Sequence, residues 1–119
     1  LISFLVRGKN MNLLKKSELK SHDMYEFCYA KDYLNHWNDD SLYLIDEEFI
    51  FLMPYLDKVF LNFAYYGRQK VTLSEWEKVK QLACRDKNQK EFIIYFFNQI
   101  DEWINNDRNQ NDYFWILGI

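Results

Sequence analysis

Tyr113-Phe114-Trp115-Ile116-Leu117 is five large apolar residues in a row, and its reading decides the fold. The stretch is too short for a stable helix and rich in aromatic and β-branched side chains, which favour a pleated surface. Asn105 to Asp112, just before it, contains no apolar residue and reads as a loop. Gly118 closes it on the other side. The stretch therefore predicts a strand buried on both faces, central in a small sheet.

Working back from that strand, helices and short extended segments alternate. Phe92, Phe96, Ile100 and Trp103 form one helical stripe, and Ile93, Phe97 and Ile104 widen it. That helix would begin at Asp86 or Asn88. Thr72 to Glu75 and Ser74 to Glu77 both fit a capping box, ahead of Trp76, Val79, Leu82 and Ala83 at helical spacing. Ala64 to Val71 reads as extended, with Gly67 as a bulge or turn. Asp46 is a candidate cap for a helix whose inner stripe is Phe49, Leu52, Met53, Leu56 and Phe60. Pro54 removes a donor inside it, so the helix kinks or breaks there. Ser41 to Ile45 reads as a short strand. Ser21-His22-Asp23 followed by Met24, Phe27, Cys28, Leu34 and Trp37 predicts a further helix, with Tyr25, Tyr29 and Tyr33 in a row on its adjoining face. The sum is an α+β fold, about four helices packed on a small sheet with the C-terminal strand buried.

The 119 residues predict one domain, 1–119, and residues 1–10 read as an extension upstream of an ordinary start at Met11 or as a retained remnant, packed against something. Apolar residues make up 49% of the chain, which excludes disorder, while only three Gly and one Pro argue against a many-stranded sandwich. Aromatic residues make up 19%, more than a core easily absorbs when nine are Tyr. Some Tyr are therefore expected at an interface. Cys28 and Cys84 form neither a disulfide framework nor a zinc pattern, and the default is two free thiols on apolar helix faces in a reducing cytoplasm. No apolar run approaches the ~20 residues that cross a bilayer, so no membrane partner is expected.

The common chemistries leave no trace. There is no Gly-rich phosphate loop, Gly-flanked serine or paired-Cys motif. His22 beside Asp23, and His36 near Asp39 and Asp40, read as helix-end residues rather than ligands. The sequence thus predicts a protein that is not an enzyme and takes no cofactor or metal. A small enzyme with a scattered carboxylate pair remains an alternative, which a deep pocket with convergent acids would favour.

Charge is unevenly spread. Residues 38–57 carry six acidic side chains (Asp39, Asp40, Asp46, Glu47, Glu48 and Asp57) and no basic one, whereas residues 58–90 carry a net charge of +5. A run without Lys or Arg is where a cationic partner would dock, with Asp39, Asp40, Asp46, Glu47 and Glu48 at the contact. The other reading is a solvated turn followed by a helix N-terminus that favours acids. The overall charge of −3 argues against nucleic acid as the main ligand.

One resemblance adds to this. Asp39-Asp40-Ser41-Leu42-Tyr43-Leu44, then Tyr65-Tyr66-Gly67, a capped helix with Trp76, Ile100-Asp101-Glu102-Trp103 and the final Phe114 to Ile119 follow one another. In that order they resemble immunity proteins of bacterial contact-dependent growth inhibition and polymorphic toxin systems. The resemblance covers roughly residues 37–119. It implies a cytoplasmic protein that binds a cognate toxin domain and occludes its active site. Such toxins are often nucleases and basic, because they hold phosphates. The resemblance brings no contact residues with it. Asp39, Asp40, Asp46, Glu47 and Glu48 rest on charge, and Tyr65 and Tyr66 are the tyrosines considered beside them. The alternative is another non-catalytic interaction module, such as a phage-encoded inhibitor or an adaptor.

Overall fold

The computed structural model describes residues 11–87 and 91–118. The expectations for residues 1–10 and for a cap at Asn88 lie outside the described residues.

Four strands form one antiparallel sheet: β1 (Met24–Tyr29), β2 (Leu42–Ile45), β3 (Arg68–Thr72) and β4 (Tyr113–Gly118), in the order β2-β1-β4-β3. Among the described residues there are three helices rather than about four. The first, α1, is broken, running as Asp46–Phe49, a 3-10 turn Ile50–Leu52, and Met53–Val59. Then come α2 (Leu73–Arg85) and α3 (Glu91–Asn105). A single 3-10 turn, Lys16–Glu18, precedes the sheet.

The expected helix over residues 24–37 is the one that fails. Tyr25 and Phe27 face the core with Tyr29 packed against it, while Met24, Glu26 and Cys28 are also buried but on the opposite side. Spacing of four fits a helix and also fits every second position of a strand, so the Tyr25–Tyr29 pair satisfies both periods. Burial on both faces then hides the alternation that marks most strands. With it goes the Tyr row, since Tyr33 lies in the following loop, 83% exposed. Cys28 sits in a strand, and Cys84 is exposed on α2.

Elsewhere local chemistry sets the elements as expected. Pro54 falls in the first turn of Met53–Val59, where its missing N–H costs nothing, and the helix breaks just before it. Thr72 caps α2 with a full capping box: its hydroxyl accepts from Glu75 N, and the Glu75 carboxylate accepts from Thr72 N. Asp46 is the first residue of α1 rather than its cap; Ile45 holds the cap position without a side-chain bond.

β4 is an interior strand, though buried unequally. Phe114, Ile116 and Leu117 are buried, whereas Tyr113 and Trp115 are half-buried. The core between sheet and helices is aromatic. Phe27 at its centre meets Phe49 at 6.3 Å, Trp76 at 6.1 Å, Phe96 at 6.1 Å and Phe114 at 6.3 Å, ring centre to ring centre. One β1 side chain thus touches all three helices and the neighbouring strand, and tilted or edge-on rings are the favoured geometry.

Candidate interaction surface

β2 separates the acidic window into two places. Asp39 and Asp40 lie before it and Asp46 to Glu48 after it. Six extended residues span roughly 20 Å, so no single contact patch of small radius holds all five.

The loop before β2 is built around a buried carboxylate. Glu26 is fully buried, and its two oxygens accept from Trp37 N (2.7 Å), Asn38 N (3.0 Å), Asn38 Nδ2 (2.9 Å) and the Ser41 hydroxyl. These donors hold Trp37 at φ 67°, a left-handed conformation that a bulky residue adopts only under constraint. Asn38 Nδ2 also reaches Cys28 Sγ at 3.4 Å, and burial pushes the Cys28 thiol up to about 11. Trp37 stacks on Tyr43, and His22 meets the edge of Trp37. The acids at this end are already partnered: Asp39 with Lys16 at 3.2 Å, Asp40 with Lys31 at 3.0 Å.

Asp40 also borders a polar cleft of about 380 Å³, lined by Tyr29, Lys31, Asn106, Asp107 and Arg108 among others. Its carboxylates hold loops in place. Asp107 accepts from Asn109 N and Asn111 N, and Asp40 is tied to Lys31. Tyr29 stacks on Trp103 at 4.1 Å and donates to its carbonyl, with burial pushing the phenol up to about 12. Trp103 Nε1 in turn donates to Asp40 O. Asp40 and Asp107 both border the cleft, and both bear on the Tyr29 hydroxyl.

The segment after β2 differs. Asp46 and Glu47 are exposed and have no ion pair among the described residues. Glu48 is turned inward: it accepts from Asn12 N at 2.6 Å, and burial raises its carboxyl above the usual range. Next to this acidic turn lies loop 60–67. The Tyr25 hydroxyl feels both Tyr66 and Asp46, which places the two at the same end of the sheet.

That loop is fixed from inside. Phe60 and Phe63 are buried, Ala64 N donates to Gln69 Oε1 at 2.9 Å, and Gly118 N donates to Gly67 O at 2.8 Å. Tyr65 is half-buried, and its hydroxyl donates to Asp57 Oδ1 at 2.6 Å, while burial and that carboxylate raise its pKa. A Cβ on Gly118 would lie 2.2 Å from Tyr65 O, so only glycine permits this approach of β4 to the loop. From the fixed loop two large side chains project outward: Leu61, 96% exposed, and Tyr66, 100% exposed.

Of the residues singled out by charge and aromaticity, the structure gathers Asp46, Glu47 and Tyr66 at one end and leaves Asp39 and Asp40 at the other. Glu48 and Tyr65 have inward-facing bonds. Leu61 is the residue that sequence reasoning passed over. It follows directly on the inner stripe ending at Phe60, and only the end of α1 at Val59 turns it outward.

Among the described residues no helix is long and apolar enough to cross a membrane, and no group of three or more His, Cys, Asp or Glu is placed to hold a metal. Set beside known proteins, the chain matches no family model, no curated protein and no solved structure.

Proposed function

We propose that this protein acts by binding another protein, as an immunity protein that neutralises a basic toxin domain in the cytoplasm by covering its active site. The observation that carries the proposal is the loop 60–67: a pinned backbone presenting Leu61 and Tyr66 almost wholly to solvent, beside Asp46 and Glu47, which have no ion pair among the described residues. Ordering a flexible loop is a major cost of association, and this loop is ordered before any partner arrives. Tyrosine is a frequent energetic anchor at interfaces. Unpaired carboxylates at the rim steer a cationic surface toward it. The energetic centre would be Leu61 and Tyr66, with Asp46 and Glu47 setting orientation and rate.

This reading expects a toxin domain encoded by the adjacent gene, and the test is binding to that domain, measured by calorimetry together with its activity. The expected result is a one-to-one complex with the toxin silenced. Replacing Leu61 and Tyr66 together by Ala should weaken it by about 30-fold or more, the scale of anchor truncations. An adjacent toxin domain that stays unbound and active would overturn the proposal.

A further inference from the structure

The three helices pack their apolar stripes on the sheet and turn their other sides outward. On that outer side a groove of about 330 Å³ runs between the end of α1 and α2, lined by Lys58, Val59, Lys78, Gln81, Leu82 and Arg85. Lys78, Gln81, Leu82 and Arg85 recur at three- and four-residue spacing, so they form one row along α2. Val59 and Leu82 are half-buried and set apolar surface between the cations. Lys58, Lys78 and Arg85 are exposed, and none has an ion pair among the described residues. The acids nearest to the groove in sequence are engaged elsewhere: Asp57 accepts from the Tyr65 hydroxyl at 2.6 Å, and Asp86 from the Tyr55 hydroxyl at 2.7 Å. The outer side of α3 has the opposite character. Glu91, Ile94, Tyr95, Asn98 and Glu102 fall on one face, opposite the buried stripe. Ile94 is 53% and Tyr95 64% exposed, two adjacent large apolar side chains in solvent. Glu91 and Glu102 flank them without an ion pair among the described residues, and α3 contains no Lys or Arg.

We infer that the outer face of α3 docks in the α1–α2 groove of a second copy of this chain, so that two copies pair through their helix layers. The charges answer one another: three cations border the groove, and two acids flank the ridge of a helix that carries no cation. Ile94 and Tyr95 bring apolar surface to the place where Val59 and Leu82 offer it. Lys78 and Arg85 stand about 10 Å apart along α2 and Glu91 and Glu102 about 16 Å apart along α3, a difference that long exposed cationic side chains span. Both halves of the match lie on one chain and on the same side of the sheet. A two-fold axis therefore lets each copy fill the groove of the other, and the contact closes at a dimer. The pairing uses none of Asp46, Glu47, Leu61 and Tyr66.

The test is sedimentation velocity of the whole chain over a dilution series, at low and at high salt. A dimer is expected at low salt, dissociating on dilution and more readily as salt screens its exposed charges. Lys78→Glu with Arg85→Glu should weaken pairing by about tenfold or more, with the melting temperature of the dilute protein nearly unchanged because both side chains are exposed. Glu91→Lys with Glu102→Lys should weaken it in the same way. Mixing these two double variants should restore a dimer, since each groove then meets a face of opposite charge. Ile94→Ala with Tyr95→Ala should weaken pairing at high salt as well as at low, because its contribution is apolar. A chain that stays monomeric at every concentration at low salt would overturn the inference. So would a dimer that both charge reversals leave intact, or a mixture of the two reversed variants that stays monomeric.

Discussion

The loop before β2 and the segments around Asp46 both carry acids and aromatic rings, yet they use them in opposite ways. Around Glu26 the groups bond to one another: the carboxylate is surrounded by donors, Trp37 lies on Tyr43, and Asp39 and Asp40, though exposed, pair with Lys16 and Lys31. Around Asp46 the backbone is equally fixed, but Asp46, Glu47, Leu61 and Tyr66 point out, and the two acids form no ion pair among the described residues. Composition alone does not separate a structural acid from a recognition acid. The presence of a cation within reach does.

The largest effect should come from breaking the inward-facing side. Glu26→Ala leaves Trp37 N, Asn38 N, Asn38 Nδ2 and the Ser41 hydroxyl without their acceptor, and Trp37 without the restraint on its left-handed backbone. A loss of about 3–5 kcal/mol is expected by urea unfolding, the range for breaking a buried charged network. A loss below ~1 kcal/mol would mean the loop is held by Trp37 stacking and not by the carboxylate.

A second contrast runs along β4. Phe114 is 2% exposed in the aromatic core, whereas Trp115 is half-buried on the opposite face. Phe114→Ala should cost about 3–5 kcal/mol, a full core truncation. Trp115→Ala should cost less, about 1–2 kcal/mol, because its ring is only partly buried. Equal melting temperatures for the two variants would show that the sheet is buried alike on both faces.

The third prediction asks whether the two acidic sites differ in binding. Reversal of Asp46 and Glu47 to Lys should weaken association with a basic partner by about tenfold at low salt, acting mainly through the association rate. Reversal of Asp39 and Asp40 should do less, because Lys16 and Lys31 already cancel them. The difference should shrink as salt rises. Equal effects from both pairs would put the partner across the whole acidic run rather than at one end.

Much of the fold was legible because local chemistry and the tertiary answer agree. The Thr72 to Glu75 capping box, the α3 stripe, Pro54 and the compact β4 run each name their own element. β1 was not legible, since Met24 to Tyr29 buries both faces and its four-residue spacings satisfy a helix as well as a strand. That error removed a strand from the sheet and added a helix to the count. The interaction surface was half legible. The acidic run was visible as composition, but its division by β2, its pairing with Lys16 and Lys31, and the inward turn of Glu48 depend on which segments the sheet brings together. Leu61 was hidden because its outward direction depends on where α1 stops.

Glu48 gives the smallest effect and tests the dividing line within the acidic turn. Its neighbours Asp46 and Glu47 are solvated, whereas burial raises the Glu48 carboxyl above its ordinary value despite the bond from Asn12 N. A carboxyl whose pKa is higher folded than unfolded holds its proton more tightly in the native state. Between the two values the native state binds more protons, so stability falls as pH rises through that interval. The contribution is fully present below the unfolded value, ~4.3 for glutamate, and is lost above the folded one. In Glu48→Gln this dependence disappears, so the stability of the wild type relative to the variant should decline as pH climbs from below 4 toward neutrality. Urea midpoints at acidic and neutral pH measure it. A Glu48→Gln profile parallel to the wild type would show that the Asn12 bond outweighs burial, and that all three acids of the turn behave as surface charges.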